Sequence, residues 1–151
     1  MVTRTMPTKV GDEVPAVVQT LDIGKMRLFS GWFPGDAYHE FNKGQHTDAE
    51  AAAKVGRPKP IAQGLHIGGL LQEMLISAYG EHWLTTGKLS WRCINMILED
   101  DIITARGKVV HASKEGSSSR LDLEIGCDNN RGAAVLVGAA SVLVPAPDDG
   151  R

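Results

Sequence analysis

The sequence predicts an α+β domain in which a curled antiparallel sheet has one long helix lying across it. The helix is indicated by an apolar stripe at helical spacing, formed by Ile67, Leu70, Leu71, Met74, Leu75 and Ala78. After Trp83 the pattern becomes extended, with apolar runs separated by turn residues. One helix followed by a series of strands is typical of a sheet that buries a helix against one face.

Size and composition limit the function classes. A chain of 151 residues is expected to form a single domain over residues 1–151, with flexible ends. The net charge of −2 and the lack of a basic face argue against a general nucleic-acid binder. Cys93 and Cys127 match no zinc or disulfide spacing, so a reducing cytoplasm is expected, with no metal and no bound redox cofactor. No membrane span or signal peptide is predicted.

The first part of the chain combines an extended run with a long loop. Val14–Leu21 is predicted to be extended, and Pro15 confines it to a sheet edge or a strand start. Lys25–Phe29 is compatible with a short helix or a strand. Gly31–Gln45 has the composition of a long loop, and such loops are often functional or mobile. Its aromatic residues are expected to pack against another part of the protein.

Two helix starts follow. Thr47–Glu50 forms a capping box, in which the Thr47 hydroxyl is predicted to bond the Glu50 amide and Asp48 to lie in the first turn. Gly56 ends this short helix, and Arg57–Pro60 is an extended connector.

The long helix is predicted from Gly64 to about residue 79, closed by Gly80. Gly68 and Gly69 each cost about 1 kcal/mol of helix stability relative to alanine. They therefore predict a close neighbour at that point of the helix.

Four strands are predicted after the long helix, and consecutive strands are expected to pair antiparallel. They are Leu89–Leu98, Ile102–Ser113, Arg120–Cys127 and Ala133–Val144.

The start of the long helix suggests chemistry on a carbonyl. The first amides of a helix lack intrahelical acceptors and carry the positive end of the dipole. At Gly64 no side chain keeps a substrate carbonyl away, and one such donor to a developing oxyanion contributes about 3–4 kcal/mol in rate. His46 is the natural proton carrier nearby, since its unperturbed pKa lies closest to neutral pH. From spacing alone, an ordinary surface histidine and an ordinary helix-start Asp48 are the alternatives.

The segment HTDAEAAAKVGRPKPIAQG, residues 46–64, resembles the MaoC-like, or R-specific enoyl-CoA hydratase, branch of the hotdog fold. The resemblance implies a single hotdog domain around the helix at about residues 64–79. It also implies that His46 is catalytic and that Gly64 forms the oxyanion hole. In active members an aspartate lies five residues before the histidine, where this chain has Phe41. Allowing one inserted residue places Glu40 there as the candidate acid, and Asp36 is a more distant candidate.

The resemblance also implies which residues line the substrate site. Gln63 matches the family motif, and His66 lies one turn into the helix as a lining or core residue. Gln72 falls about where the family has a small hydroxyl residue. Independently of the resemblance, the aromatic loop that contains Tyr38 and Phe41 is expected to form the floor of a bulky pocket.

The function implied is hydration of 2-enoyl thioesters, or dehydration of 3-hydroxyacyl thioesters, of coenzyme A or acyl carrier protein. The alternative is a hotdog protein that binds a thioester or a bulky small molecule without hydrating it, as a partner subunit or with another reaction. Thioester hydrolysis and a domain without catalysis are weaker alternatives. A homodimer or higher homo-oligomer is expected, and a hetero-oligomer is possible. Coenzyme A phosphates would require a cation, for which the candidates are Lys54, Arg57, Lys59 and Arg92, each equally compatible with a surface charge.

Overall fold

The computed structural model describes residues 6–32 and 43–146. Within these ranges the chain forms five strands and four helices. In chain order they are β1 (Glu13–Thr20), α1 (Ile23–Phe29), α2 (Ala49–Lys54), α3 (Gly64–Tyr79), α4 (Glu81–Thr86), β2 (Lys88–Cys93), β3 (Ile102–Glu115), β4 (Ser118–Asn129) and β5 (Ala134–Pro145). The predicted α+β class is confirmed.

The sheet is antiparallel, with the strand order β1-β3-β4-β5-β2. β1 is an edge strand, as Pro15 predicts. The expectation that consecutive strands pair is wrong for β2, which pairs with β5 rather than with β3. The turn after β2 is instead tied to the end of β1, because the Asp100 amide donates to the Leu21 carbonyl at 2.8 Å and the Leu21 amide donates to the Asp101 carbonyl at 2.9 Å.

Helix α3 has the predicted bounds and crosses the concave face of the sheet. Its apolar stripe is buried in the core together with side chains from the strands. Gly80 ends the helix at a positive φ of 54°, a conformation that suits glycine. None of the helices in residues 6–32 and 43–146 has the length and apolarity needed to cross a bilayer.

Three local predictions need correction or completion. Lys25–Phe29 belongs to a helix, α1, whose start is capped by Asp22 through a 3.0 Å bond from the Lys25 amide. The predicted strand Leu89–Leu98 stops at Cys93, although Ile94 still donates to the Val135 carbonyl of β5 at 2.9 Å. Further on, the Ile97 carbonyl accepts from the Ala62 amide at 2.8 Å. α4 was not predicted, since six residues are too few to show a helical period.

The two adjacent glycines of α3 have different surroundings. A Cβ on Gly68 would lie 2.6 Å from Cζ2 of Trp91, so the predicted close neighbour is the indole of a β2 residue. A Cβ on Gly69 would meet nothing within 4 Å. The prediction is therefore confirmed for Gly68 and wrong for Gly69, which lies on the exposed side of the helix.

Candidate active site

The loop before α2 differs from the predicted capping box by one residue. Asp48, rather than Thr47, is the N-cap, and its carboxylate accepts from the Ala51 amide at 2.8 Å. Thr47 is buried, and its hydroxyl accepts from the Gly44 amide at 3.1 Å. Thr47 therefore closes the turn that contains His46, while Asp48 is occupied as a cap.

The His46 ring is anchored to the connector that leads into α3. Its Nδ1 lies 2.8 Å from the Ile61 carbonyl oxygen, and the Ile61 amide donates to the Gln45 carbonyl at 2.9 Å. A carbonyl only accepts hydrogen bonds, so Nδ1 carries the proton in the neutral ring and Nε2 presents a lone pair. The structure thus holds His46 in the tautomer that can act as a base through Nε2.

The mouth of α3 begins three residues after Ile61. Gln63 is the N-cap residue and makes no side-chain cap bond, while the His66 and Ile67 amides donate to the Gln63 carbonyl at 3.0 and 3.4 Å. Within residues 6–32 and 43–146, the Gly64 and Leu65 amides donate to no carbonyl or side chain. These amides at the positive end of the helix dipole are suited to an oxyanion.

A groove of about 360 Å³ borders Gly64. Ile61, Ala62 and Gly64 line one side of it, and residues 93–97, from the last residue of β2 onward, line the other. A Cβ on Gly64 would lie 3.2 Å from Cys93 Sγ and 3.6 Å from the Trp91 ring. The Trp91 indole therefore lies between the Gly64 end of the groove and Gly68. The lining is mostly apolar, as is usual for a small-molecule site.

Two predicted substrate-binding residues, Gln63 and His66, contact the end of α1. Gln63 Nε2 donates to Ser30 Oγ at 2.8 Å. The His66 ring is stacked on Phe29, with centroids 4.7 Å apart and planes 7° from parallel. The last residues of α1 thus cover the first turn of α3 and orient both side chains.

The stacked position of His66 has a consequence for pH dependence. Burial lowers the pKa of His66 from its ordinary value of 6.5, and the positive charge of Lys25 lowers it further, against an opposing effect of Asp22. The folded state therefore disfavours protonation of this ring. Lowering the pH below 6.5 then reduces the free energy of unfolding, because the unfolded chain binds the proton more readily. We expect NMR titration to show His66 titrating below 6.5 and Lys25→Met to raise this pKa. Titration at or above 6.5 in the native chain would contradict the burial argument.

Of the other predicted site residues, Gln72 lies away from the mouth of α3. Gln72 Oε1 accepts from the Trp83 indole N–H at 2.7 Å, about 12 Å along the helix axis from Gly64. This bond ties α3 to α4. Glu40, Asp36, Tyr38 and Phe41 lie outside the described residues.

Sequence reasoning did not single out Phe29, Ser30, Trp91 or Cys93 at this site. The available signal was the Gly64/Gly68 pair at a spacing of four, which predicts a large neighbour without identifying it. In the described part of the chain, no three His, Cys, Asp or Glu side chains form a group that could hold a metal.

Comparisons with known proteins give structural neighbours only. No protein-family model matches the chain, and no curated protein matches it in sequence. Among solved structures, it is similar to the R-hydratase PhaJ1 from Pseudomonas aeruginosa, with a TM-score of 0.71, 18% identity, and coverage of 92% of this chain and 83% of that one. A MaoC-like dehydratase from Rhodospirillum rubrum has a TM-score of 0.69 and 20% identity, covering 92% of this chain and 94% of that one.

A third neighbour is a two-protein complex. The ChsH1-ChsH2 complex from Mycobacterium tuberculosis matches with a TM-score of 0.67 and 18% identity, over 93% of this chain and 100% of the matched one. At these identities the similarity defines the fold and leaves the reaction open. The antiparallel sheet around α3 and these three neighbours together show that this chain has the hotdog fold of the MaoC-like dehydratases and R-hydratases.

Proposed function

We propose that this protein adds water to 2-enoyl thioesters, or removes it from 3-hydroxyacyl thioesters, at the mouth of α3. The observation that carries the proposal is the 2.8 Å contact between His46 Nδ1 and the Ile61 carbonyl. This contact orients a basic nitrogen beside the connector that leads into α3. The first amide of α3, that of Gly64, is free to bind an oxyanion. The hydratases and dehydratases among the structural neighbours support the same reaction class.

The proposed reaction uses both groups in sequence. The thioester carbonyl accepts a hydrogen bond from the Gly64 amide. His46 Nε2 takes a proton from water, whose oxygen forms a bond to Cβ of the enoyl group. The electron pair moves toward the carbonyl, giving an enolate whose negative oxygen the amide stabilises. A proton then returns to Cα and restores the neutral carbonyl, so that the net change is the addition of one water.

Glu40 is our candidate for the second acid/base group in this reaction. It would share proton transfer with His46, in the role that an aspartate has in the active hydratases resembled by this sequence. The carrier, coenzyme A or acyl carrier protein, follows from the same resemblance.

A second candidate function is binding of an acyl thioester without hydration. One specific observation favours it: in the described part of the chain, no carboxylate contacts the His46 ring, whose Nδ1 is bonded to a neutral carbonyl. Without such a carboxylate, the His46 imidazole alone carries out both proton transfers, from water and to Cα. A non-catalytic subunit of a hetero-oligomer would need only the groove and the free amide.

The two candidates are separated by a panel of purified enoyl thioesters that vary in chain length and branching. Hydration predicts a product heavier by one water and a loss of the conjugated enoyl absorbance. Binding without turnover predicts a stable complex and no mass change in the substrate. Conversion of any panel member at a rate typical of enzymes, about 1 per second or faster, would exclude the binding-only function. Full recovery of every substrate would exclude the hydratase function.

We also propose that the protein is an oligomer. β1 and β2 both lie at edges of the sheet, and an unpaired edge tends to be covered by another chain. Pro15 removes one donor from β1, so β2 is the better edge for pairing. Light scattering of the purified chain tests this, and a monomer at micromolar concentration would contradict it.

A further inference from the structure

Four cationic side chains were candidates for binding an anionic carrier, and two of them form ion pairs with carboxylates. Lys54 Nζ lies 2.9 Å from the Glu50 carboxylate, and Lys59 Nζ lies 2.9 Å from the Asp100 carboxylate. In each case the hydrogen bond to the carboxylate raises the lysine pKa. These two lysines therefore have a partner before any ligand arrives.

Arg57 differs from them because its guanidinium contacts no carboxylate within residues 6–32 and 43–146. Its Nη1 donates to the Met96 sulfur at 3.1 Å, which is a weak, neutral acceptor. Its Nε is buried and has no hydrogen-bond partner in the same part of the chain. A ligand cannot reach this buried Nε, so the Nη groups, one of which contacts the weak Met96 sulfur acceptor, are the donors left for an anion.

The position of Arg57 relates it to the groove. Met96, which it contacts, lines the groove three residues beyond Cys93, and Cys93 approaches Gly64. A ligand with its carbonyl at the Gly64 amide would therefore extend past Cys93 and Met96 toward the guanidinium. The fork of N–H donors on an arginine matches a phosphate better than a lysine does.

We propose that Arg57 binds a phosphate of the pantetheine-type carrier whose thioester carbonyl lies at Gly64. This proposal rests on the proposed thioester site, and it adds a second recognition point at the far end of the same groove. The phosphate is either the 4′-phosphate that coenzyme A shares with the acyl-carrier arm, or one of the phosphates that only coenzyme A has.

The test is the affinity of the full chain for three unreactive thiols, measured by calorimetry: coenzyme A, 4′-phosphopantetheine and pantetheine. We expect the wild-type protein to bind one or both phosphorylated thiols about tenfold more tightly than pantetheine. Arg57→Ala should weaken phosphate-dependent binding about tenfold and leave pantetheine unaffected. An effect on both phosphorylated thiols would assign the 4′-phosphate, and an effect on coenzyme A alone would assign its additional phosphates.

Arg92→Ala is the matched control. Trp91 and Cys93 both approach α3, so Arg92 between them points to the opposite face of the sheet. It should bind all three thiols as the wild type does. Arg57→Lys keeps the positive charge but loses the paired N–H donors of the guanidinium, so its affinity for the phosphorylated thiols should be intermediate. This variant provides a second measurement if Arg57→Ala does not fold.

Equal affinity of the wild type for all three thiols, or no binding, would overturn the assignment. So would an Arg57 variant that is folded and unaffected, or an equal loss in Arg92→Ala. Phosphate-dependent binding that requires Arg57, without hydration of any thioester, would instead leave the assignment intact and reject the proposed hydratase reaction.

Discussion

Replacing His46 by alanine is expected to lower kcat/KM for hydration of a good enoyl thioester by about 100- to 10,000-fold, the range that general acid–base catalysis contributes. The reason is the loss of the Nε2 lone pair, the proposed acceptor of the water proton. The measurement is the initial rate of loss of enoyl absorbance with purified protein. Turnover at the wild-type rate would reject His46 as the base.

A structural effect of the alanine variant can be separated from a chemical one. His46 also donates through Nδ1 to the Ile61 carbonyl, at 2.8 Å, and so holds the loop against the connector. Asparagine places an amide N–H near the position of Nδ1 but offers no base at the position of Nε2. His46→Asn should therefore preserve the melting temperature and remain as inactive as His46→Ala. Recovery of activity in the asparagine variant would show that the ring only positions the loop.

His111→Ala is the matched control for removal of an imidazole. His111 is exposed on β3, and its Nδ1 lies 3.2 Å from the Asp122 carboxylate. Its removal should leave the hydration rate within a factor of two of the wild type. A comparable loss of activity in this variant would mean that the assay reports general damage to the protein.

The sequence predicts features that depend on neighbours along the chain. The apolar repeat of α3 is local, and its predicted bounds agree with the structure. β3, β4 and β5 follow one another through short turns, so their pairing is also predictable. The resemblance over residues 46–64 predicts that His46 and Gly64 act at one site, and the structure brings the His46 ring to the Ile61 carbonyl, three residues before Gly64.

Features that depend on distant partners were not predictable. β2 pairs with β5, more than forty residues later in the chain, rather than with the next strand, β3. The partner of Gly68 is Trp91, whose position follows from that pairing. The prediction of Thr47 as the N-cap was wrong: both residue types cap helices, and in the structure Asp48 is the cap while Thr47 is buried.

The contact between β2 and β5 leads to the largest expected effect on stability. A Cβ on Gly138 would lie 2.3 Å from the Ser90 carbonyl oxygen and 2.9 Å from Trp91 Cα. Both are backbone atoms of the paired strand, so no side-chain rotation can relieve the overlap. Gly138→Ala should lower the free energy of unfolding by roughly 2–3 kcal/mol. For a domain of this size the melting temperature should fall by about 5–10 °C.

Gly69→Ala adds the same methyl group where nothing lies within 4 Å, and is the matched control. It should raise the free energy of unfolding by up to about 1 kcal/mol, because alanine is the better helix former. Opposite shifts in melting temperature would show that the strand contact, rather than the methyl group itself, determines the effect.

Because Trp91 and Cys93 belong to β2, Gly138→Ala should also displace the wall of the groove and weaken thioester binding. A Gly138→Ala protein that melts like the wild type would mean that β2 is not held to β5 at this distance, and the geometry of the groove at Gly64 would have to be revised.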